Sequence, residues 1–405
     1  MADLLRRVHS STHVLEASLR QRLLLWIVGG GLLGIAACVS LTPPRGGTGN
    51  VPIVRGAYKN GSAQLVRIAL DPRTANAGSE ITPDVRDGPV VVRPASGAEF
   101  VTWNGKRYRG DLLISATDTG VLVVNRLPMD SYLRGVVPLE IGNRTPAEFA
   151  AVQAQAVAAR TYAYKHLTTS RAFDMYSTVQ DQVYGGVDAE KPQSDSAIAT
   201  TADIVVLYNG QPITTPYHST CGGSTAAVSE VWYDQPDQPY LRPVSDRIRG
   251  TNNFYCDPSP RFSWTQSYDG AGLRTVMEKY LAAYTNAPKA NLGRITDVKE
   301  QGRTPSGRVA ALTIQTESGS YTLKGNDIRF VLRDPKGAIL NSTFFSLTAS
   351  RSAGEVSSLT LNGRGYGHGI GMCQWGAIGR ARAGQDYRTI LETYYPGTTI
   401  GRIAG

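Results

Sequence analysis

Between Leu65 and Asn125 the apolar positions fall in short β-branched runs: "LVRIAL", "GPVVVRP", "GAEFVTW", "GDLLISA" and "GVLVVN". Gly, Pro, Asn and Asp separate them, which predicts a series of strands. The period then lengthens. In "TPAEFAAVQAQAVAARTYAYKHL" the residues Phe149, Val152, Ala156, Ala159 and Ala163 recur at helical spacing. Thr145 as N-cap, Pro146 at the first helical position and Glu148 three residues after the cap write a capping box. Further on, "DIVVLYNGQPITTPYHST" predicts a hairpin about Asn209-Gly210. Ala271 to Thr285 reads as a short helix, and Ile295 to Leu361 returns to strands, with "RVAALTIQT" and "SYTLKG" pairing across Glu317 to Ser320. A last helix runs from about Asp386 to Tyr395 and is stopped by Pro396-Gly397. The pattern implies an α+β protein with curved antiparallel sheets and segregated helices, preceded by an N-terminal signal or anchor helix.

That anchor is the uncharged stretch "LLLWIVGGGLLGIAA", Leu23 to Ala37, which follows Arg6, Arg7, Arg20 and Arg22. A basic flank before an apolar core is the arrangement of an export signal. Extended to Leu41 it approaches the ~20 residues needed to span a bilayer. "IAAC", ending at Cys38, also has the form of a lipobox, in which the Cys is lipidated after cleavage. The expected layout is a cytoplasmic tail (1–22), a signal or membrane anchor (23–41), a linker (42–57) and an exported domain (58–405). Within the last, 58–125 is β-rich, 126–264 is a core with a catalytic loop and helix, 265–360 is β-rich, and 361–405 holds a Gly-rich strand and C-terminal helices. The exported part would face the periplasm or cell wall, held at the cytoplasmic membrane.

Composition adds little except by exclusion. A chain of 405 residues with 41% hydrophobic and 19% charged residues is globular. Its net charge of +9 is spread without dense basic blocks. No basic helix or aromatic RNA-binding motif accompanies it, so nucleic acid is not an expected partner. An anionic surface or acidic polymer fits the charge better.

Standard catalytic constellations are missing: the chain has no H-E-x-x-H and no G-x-S-x-G. Among the carboxylates, Glu148 is explained by the capping box, and Asp130 stands where a helix N-cap would. Glu140, in "RGVVPLEIGNRTP", has neither duty. It follows an apolar run and a proline, at a helix-to-loop corner. A carboxyl desolvated there can stay protonated and act as a general acid, while a solvated loop Glu is the plainer alternative. "GRGYGHGIGMCQWGA" places a glycine at every second position from Gly363 to Gly371. In an extended strand those five glycines would form one bare face, open either to a broad ligand or to close packing by another backbone.

Taken in order, "LPMDSYLRGVVPLE", "AVQAQAVAARTYAY", "YHSTCGG", "EVW" and "GRGYGHGIGMCQWGA" resemble the stage II sporulation protein D family, which includes the amidase enhancers. The resemblance runs from about Leu65 to Tyr395. It implies a peptidoglycan lytic transglycosylase that cleaves between N-acetylmuramic acid and N-acetylglucosamine, with Glu140 of the V-P-x-E segment as its single acid–base. The alternative it implies is a non-catalytic cell-wall-binding protein that enhances an amidase. Glycan strands, the membrane and a cell-wall amidase are the partners so implied.

On that reading Gln155, Arg160, His218, Ser219, Tyr366, His368 and Gln374 would bind substrate, with Arg364 and Trp375 beside them. Gln155 and Arg160 lie about 140° apart round a helix, so at most one would face the site. For Arg160, anchoring helix to sheet weighs equally with substrate contact. Some relatives bind zinc through a Cys/His cluster before a Q-x-Y segment, where this chain has Met175, Gln180 and Asp181. No metal or other cofactor is therefore expected. Cys221 and Cys256 are expected to form a disulfide; a Cys3His site made by His218, Cys221, Cys256 and Cys373 is the alternative.

Overall fold

An early strand shows why alternation matters. Leu65–Ala69 exposes Leu65 and buries Val66 and Ile68. The computed structural model describes residues 53–54, 64–70, 89–117 and 120–403; the expected tail and anchor, and nearly all of the linker, lie outside these residues. The helices are α1 (Met129–Ile141), α2 (Phe149–His166), α3 (Pro192–Thr200), α4 (Gly270–Tyr280), α5 (Asp327–Val331), α6 (Gln374–Arg382) and α7 (Tyr387–Tyr394). None of the described helices is long and apolar enough to cross a membrane. The architecture is mixed α+β. Two compact units divide the chain, one drawn from 61–142 and 166–191, the other from 46–60, 143–165 and 192–405.

The first unit is built on a five-stranded sheet in the order Val90–Val92, Asp111–Thr117, Gly120–Pro128, Leu65–Ala69, Met175–Tyr176. All its pairs are antiparallel except the last, which is parallel. Every strand predicted from 65 to 125 is present. Gly120–Pro128 leads straight into α1, whose residues Met129, Tyr132, Leu133, Val136 and Val137 are fully buried. Their spacing is that of one helical face. The helix begins at Met129 with Pro128 in the N-cap position, so Asp130 is not the cap. It lies in the first turn, where a carboxylate faces the positive end of the helix dipole. Gly142, at φ 72°, ends the helix and returns its N–H to Pro138.

In the second unit the capping box forms as read. Thr145 N–H donates to Glu148 Oε2 at 2.8 Å, and Pro146–Glu148 is a 3-10 turn that feeds α2. Small residues make α2 buried nearly all round: Ala151, Ala154, Ala156, Ala158, Ala159 and Ala163 have no solvent exposure. The predicted hairpin pairs Ile204–Tyr208 with Gln211–Pro212 around Asn209 (φ 50°) and Gly210 (φ 74°), the left-handed pair that a two-residue turn requires. Two three-stranded antiparallel sheets, Ser263–Asp269/Glu355–Arg364/Phe345–Ser352 and Ile295–Arg303/Val309–Thr316/Gly319–Lys324, share a core with α4. Leu273, Leu281, Leu312, Ile314, Leu359 and Leu361 lie at its centre. The last pair of strands is the one predicted across Glu317 to Ser320.

Candidate functional site

Glu140 stands on the buried face of α1. It continues the stripe of Met129, Tyr132, Leu133, Val136 and Val137, and the segment Gln182-Val183-Tyr184 packs there. Val183 N–H donates to Glu140 Oε1 at 3.1 Å, and Tyr132 hydroxyl donates to Gln182 at 3.0 Å. Gly185 N–H bonds the carbonyl of Gly135, where any side chain would strike the Tyr184 ring. Tyr184 is itself held by Asn125, and burial raises its phenol well above the usual range. Glu140 keeps only 9% of its surface exposed. Other acids of this unit are committed to arginines: Asp111 to Arg126, Asp174 to Arg67, Asp188 to Arg107 and Glu190 to Arg109. Gln182 and Tyr184 position the Glu140 helix and were not singled out from the sequence, although their Q-x-Y spacing was in view.

The alternating glycines do not form a bare strand. Gly363 ends Glu355–Arg364 in extended conformation, but Gly365, Gly367, Gly369 and Gly371 all have φ between 71° and 114°. Left-handed backbone at every second residue abolishes the flat face that alternation suggested. A side chain at Gly371 would lie 2.0 Å from the Pro216 carbonyl oxygen, and one at Gly369 would lie 2.4 Å from the Arg308 guanidinium. At Gly365, Gly367 and Gly371 the close neighbour is this protein's own Pro216–Cys221 segment. Tyr217–His218 and Met372–Cys373 pair there as short parallel strands.

That packing determines the environment of the predicted binding residues. Gln155, Arg160, His218, Tyr366, His368 and Gln374 are all buried; Ser219 and Trp375 are half-buried. Gln374 donates to Gln155 Oε1 at 3.0 Å. Arg160 donates to the carbonyls of Thr201, Ile204 and Ile198, so it ties α2 to the end of α3 and to the next strand. His368 accepts the Ile370 N–H at Nδ1, so its Nε2 carries the proton and donates to Tyr217 O at 2.9 Å. Burial lowers the pKa of both His218 and His368, the latter well below the ordinary value. Both are neutral framework groups. Arg144 stacks over Trp375 at 5.3 Å, and Ser219, Trp375 and Arg364 are the half-buried residues among those predicted to bind.

Two further features belong to this unit; of the second, the three cysteines were named from the sequence and Asp246 was not. One is a groove of about 790 Å³ lined by Trp264, Phe344, Arg303, Asn362, Gly363 and Arg364. Trp264 covers Gly363, where a Cβ would sit 2.2 Å from the ring, and its indole N–H bonds Gly365 O. Arg364 lies over Phe344 at 4.5 Å. Aromatic faces beside guanidinium groups suit a ligand with both apolar ring faces and hydroxyl or acidic groups. The other feature gathers Cys221, Asp246, Cys256 and Cys373, all buried, with their ligand atoms within 4.8 Å of one another. The expected disulfide is absent: Cys221 and Cys256 are free thiols with sulfurs 3.4 Å apart. The group of four also differs from the Cys3His alternative, because its fourth member is Asp246 and not His218. Burial and the adjoining Cys221 push the Asp246 carboxyl up to about 7. The zinc-binding pattern of some relatives does not fit elsewhere. Met175 is a buried strand residue, and Asp181 accepts the Tyr176 N–H.

Residues 117–208 match the family described as stage II sporulation protein, and residues 247–371 match a domain of unknown function. Over 296 residues the chain is 30% identical to stage II sporulation protein D of Bacillus subtilis, covering 68% of this chain and 75% of that one. An uncharacterized protein of Brachyspira hyodysenteriae is 32% identical over 74% of this chain and 73% of its own. The amidase enhancer of Bacillus subtilis is 32% identical over 66% of this chain, which spans 40% of that longer protein. The chain belongs to the stage II sporulation protein D family.

Proposed function

We propose that this protein cleaves peptidoglycan glycan strands as a lytic transglycosylase, with Glu140 as its acid–base. The observation that carries the reading is the placement of Glu140: a carboxyl on an apolar helix face, bonded by the Val183 backbone N–H, in a residue that is nearly buried. Such a group can protonate the glycosidic oxygen as the bond to the muramic acid breaks. As carboxylate it then takes the proton from that sugar's own C6 hydroxyl, which closes a 1,6-anhydro ring and restores the acid. Water is not consumed, so the second carboxylate of an ordinary glycosidase is not required. The Trp264–Phe344 groove, with Arg303 and Arg364, supplies stacking surface and positive charge suited to a glycan with acidic substituents.

The chain would act outside the cytoplasm, tethered through the Arg-flanked stretch Leu23 to Ala37. Fractionation should place it in the membrane pellet with its C-terminus open to added protease. A second reading, a wall-binding protein that enhances an amidase, is favoured by the name of one relative. Digestion of purified sacculi separates the two. Anhydromuramyl ends appear only if the protein cleaves, and their absence with intact sacculus binding makes it the enhancer.

A further inference from the structure

Cys221, Asp246, Cys256 and Cys373 come from four separate stretches of the second unit and converge in its interior. The Cys221 sulfur is 3.4 Å from Cys256 Sγ and 3.7 Å from Asp246 Oδ2. A tetrahedral cation with metal–sulfur bonds of about 2.3 Å needs ligand separations of about 3.8 Å. A disulfide needs about 2 Å and would leave the third thiol and the carboxylate without a reason to be there.

The surroundings are arranged for bound thiolates and an oriented carboxylate. Cys373 Sγ accepts the N–H groups of Cys221 and Gly376, both at 3.2 Å, and Cys221 Sγ accepts that of Gly223 at 3.4 Å. Asp246 Oδ1 is occupied by the Tyr394 hydroxyl at 2.6 Å and by Arg380 at 3.1 Å, which turns Oδ2 toward Cys221. Second-shell partners of this kind fix a metal-binding carboxylate and tune its charge. Gly376 makes the approach feasible, since a Cβ there would lie 1.9 Å from the Tyr394 oxygen and 2.6 Å from Asp246 Oδ2. Three thiolates and a carboxylate around a divalent ion carry two net negative charges. The guanidinium of Arg380 on Asp246, and that of Arg308 on the Cys221 carbonyl, offset them.

We infer that Cys221, Cys256, Cys373 and Asp246 form a structural zinc site. All four ligands are buried and the donor set is complete, so no position is open for substrate. The ion ties the end of the glycine-rich segment, through Cys373, to the loops that carry Cys221, Asp246 and Cys256. This reverses the expectation of a metal-free protein, and it stands whether or not the protein cleaves glycan.

The test uses the full chain, purified without chelator. Elemental analysis should find about one zinc per chain, and replacement by cobalt(II) should give the intense near-ultraviolet thiolate-to-cobalt bands of a tetrahedral sulfur site. All three thiols should resist alkylation until a chelator removes the metal. Tyr394→Phe, which removes only the hydroxyl that holds Asp246, should weaken zinc retention against a competing chelator by about 10–100-fold. Cobalt bands unchanged in position by Cys256→Ser would overturn the ligand set. So would a folded wild-type protein that retains no metal and takes up no cobalt, or peptide mapping that finds Cys221 joined to Cys256.

Discussion

The Glu140 helix and the glycine-rich segment carry the two strongest motifs of the chain, and the fold treats them in opposite ways. At Glu140 an apolar stripe is interrupted by one carboxyl, in a residue that is 9% exposed. At Gly363 to Gln374 most polar side chains turn inward: His368 and Gln374, with His218 and Gln155 that pack beside them, are buried and hydrogen-bonded within the protein, and Arg364 alone reaches the groove. A motif rich in hydrogen-bonding residues is thus no guide to whether those groups face a ligand or a neighbouring strand. What decides between a ligand and a neighbouring strand is the packing around the group, which the motif does not record.

The comparison breaks most sharply on a pair of substitutions. Glu140→Gln should lower the rate of anhydromuramyl-end formation by about 10²–10⁴-fold, while the urea midpoint and sacculus binding stay near wild type. A variant that cleaves at the wild-type rate removes Glu140 from the chemistry. Gly371→Ala should do the reverse. Left-handed backbone costs a side-chain-bearing residue about 1–2 kcal/mol. The collision with Pro216 adds about 1–3 kcal/mol of overpacking. Stability should therefore fall by several kcal/mol, and activity only as far as the folded fraction falls. Gly384→Ala, also at positive φ but with open space around it, is the control that isolates the backbone cost.

Arg160→Met tests whether a buried polar group of this unit binds ligand or braces the fold. It removes the guanidinium from the carbonyls of Thr201, Ile204 and Ile198. Thr201 O and Ile198 O keep the backbone N–H groups of Ile204 and Thr201, so the cost is that of the lost hydrogen bonds, about 0.5–1.5 kcal/mol each. Chemical denaturation should show a loss of about 3 kcal/mol. Glycan affinity of the folded fraction should not change, and a loss of affinity at full stability would return Arg160 to the binding surface.

The smallest effect belongs to Glu148. Burial alone would raise its carboxyl, but the Thr145 N–H and the Arg382 guanidinium outweigh that and hold it below the usual range. A carboxyl depressed in the folded state stabilises above its unfolded value, about 4.3, and loses that contribution as pH falls through the lower folded value. Glu148→Gln keeps the capping box but loses the ion pair, and should cost about 1–2 kcal/mol at neutral pH. The difference between variant and wild type should close as the buffer is acidified; a gap independent of pH would mean that Arg382 contributes nothing.

Much of this was legible from periodicity and turn chemistry, because those signals are local. The five early strands, the Thr145 capping box and the Asn209-Gly210 hairpin all need only neighbours in sequence. Asp130 lies two residues past the cap because Pro128, with its fixed φ, starts the helix without any side-chain cap. The glycine run misled for a related reason. Alternation defines a face only if the backbone is extended, and positive φ at Gly365 through Gly371 cannot be read from spacing. Of the cysteine cluster, the three sulfurs were legible as a possible site and the carboxylate was not. Asp246 has no motif of its own, and its place beside three sulfurs depends on Gly376 and Tyr394 more than 100 residues away.

The buried glycines also govern how the protein would look in a mutational scan. At Gly365, Gly367, Gly369 and Gly371, replacement meets backbone or a packed side chain at 2.0–2.9 Å. A selection scored on activity alone would show an unbroken block of intolerance there, as dense as any catalytic centre, whereas Glu140 would register as one isolated position. Scoring abundance beside activity would invert the picture: the block would fade into loss of protein, and the single carboxyl would remain.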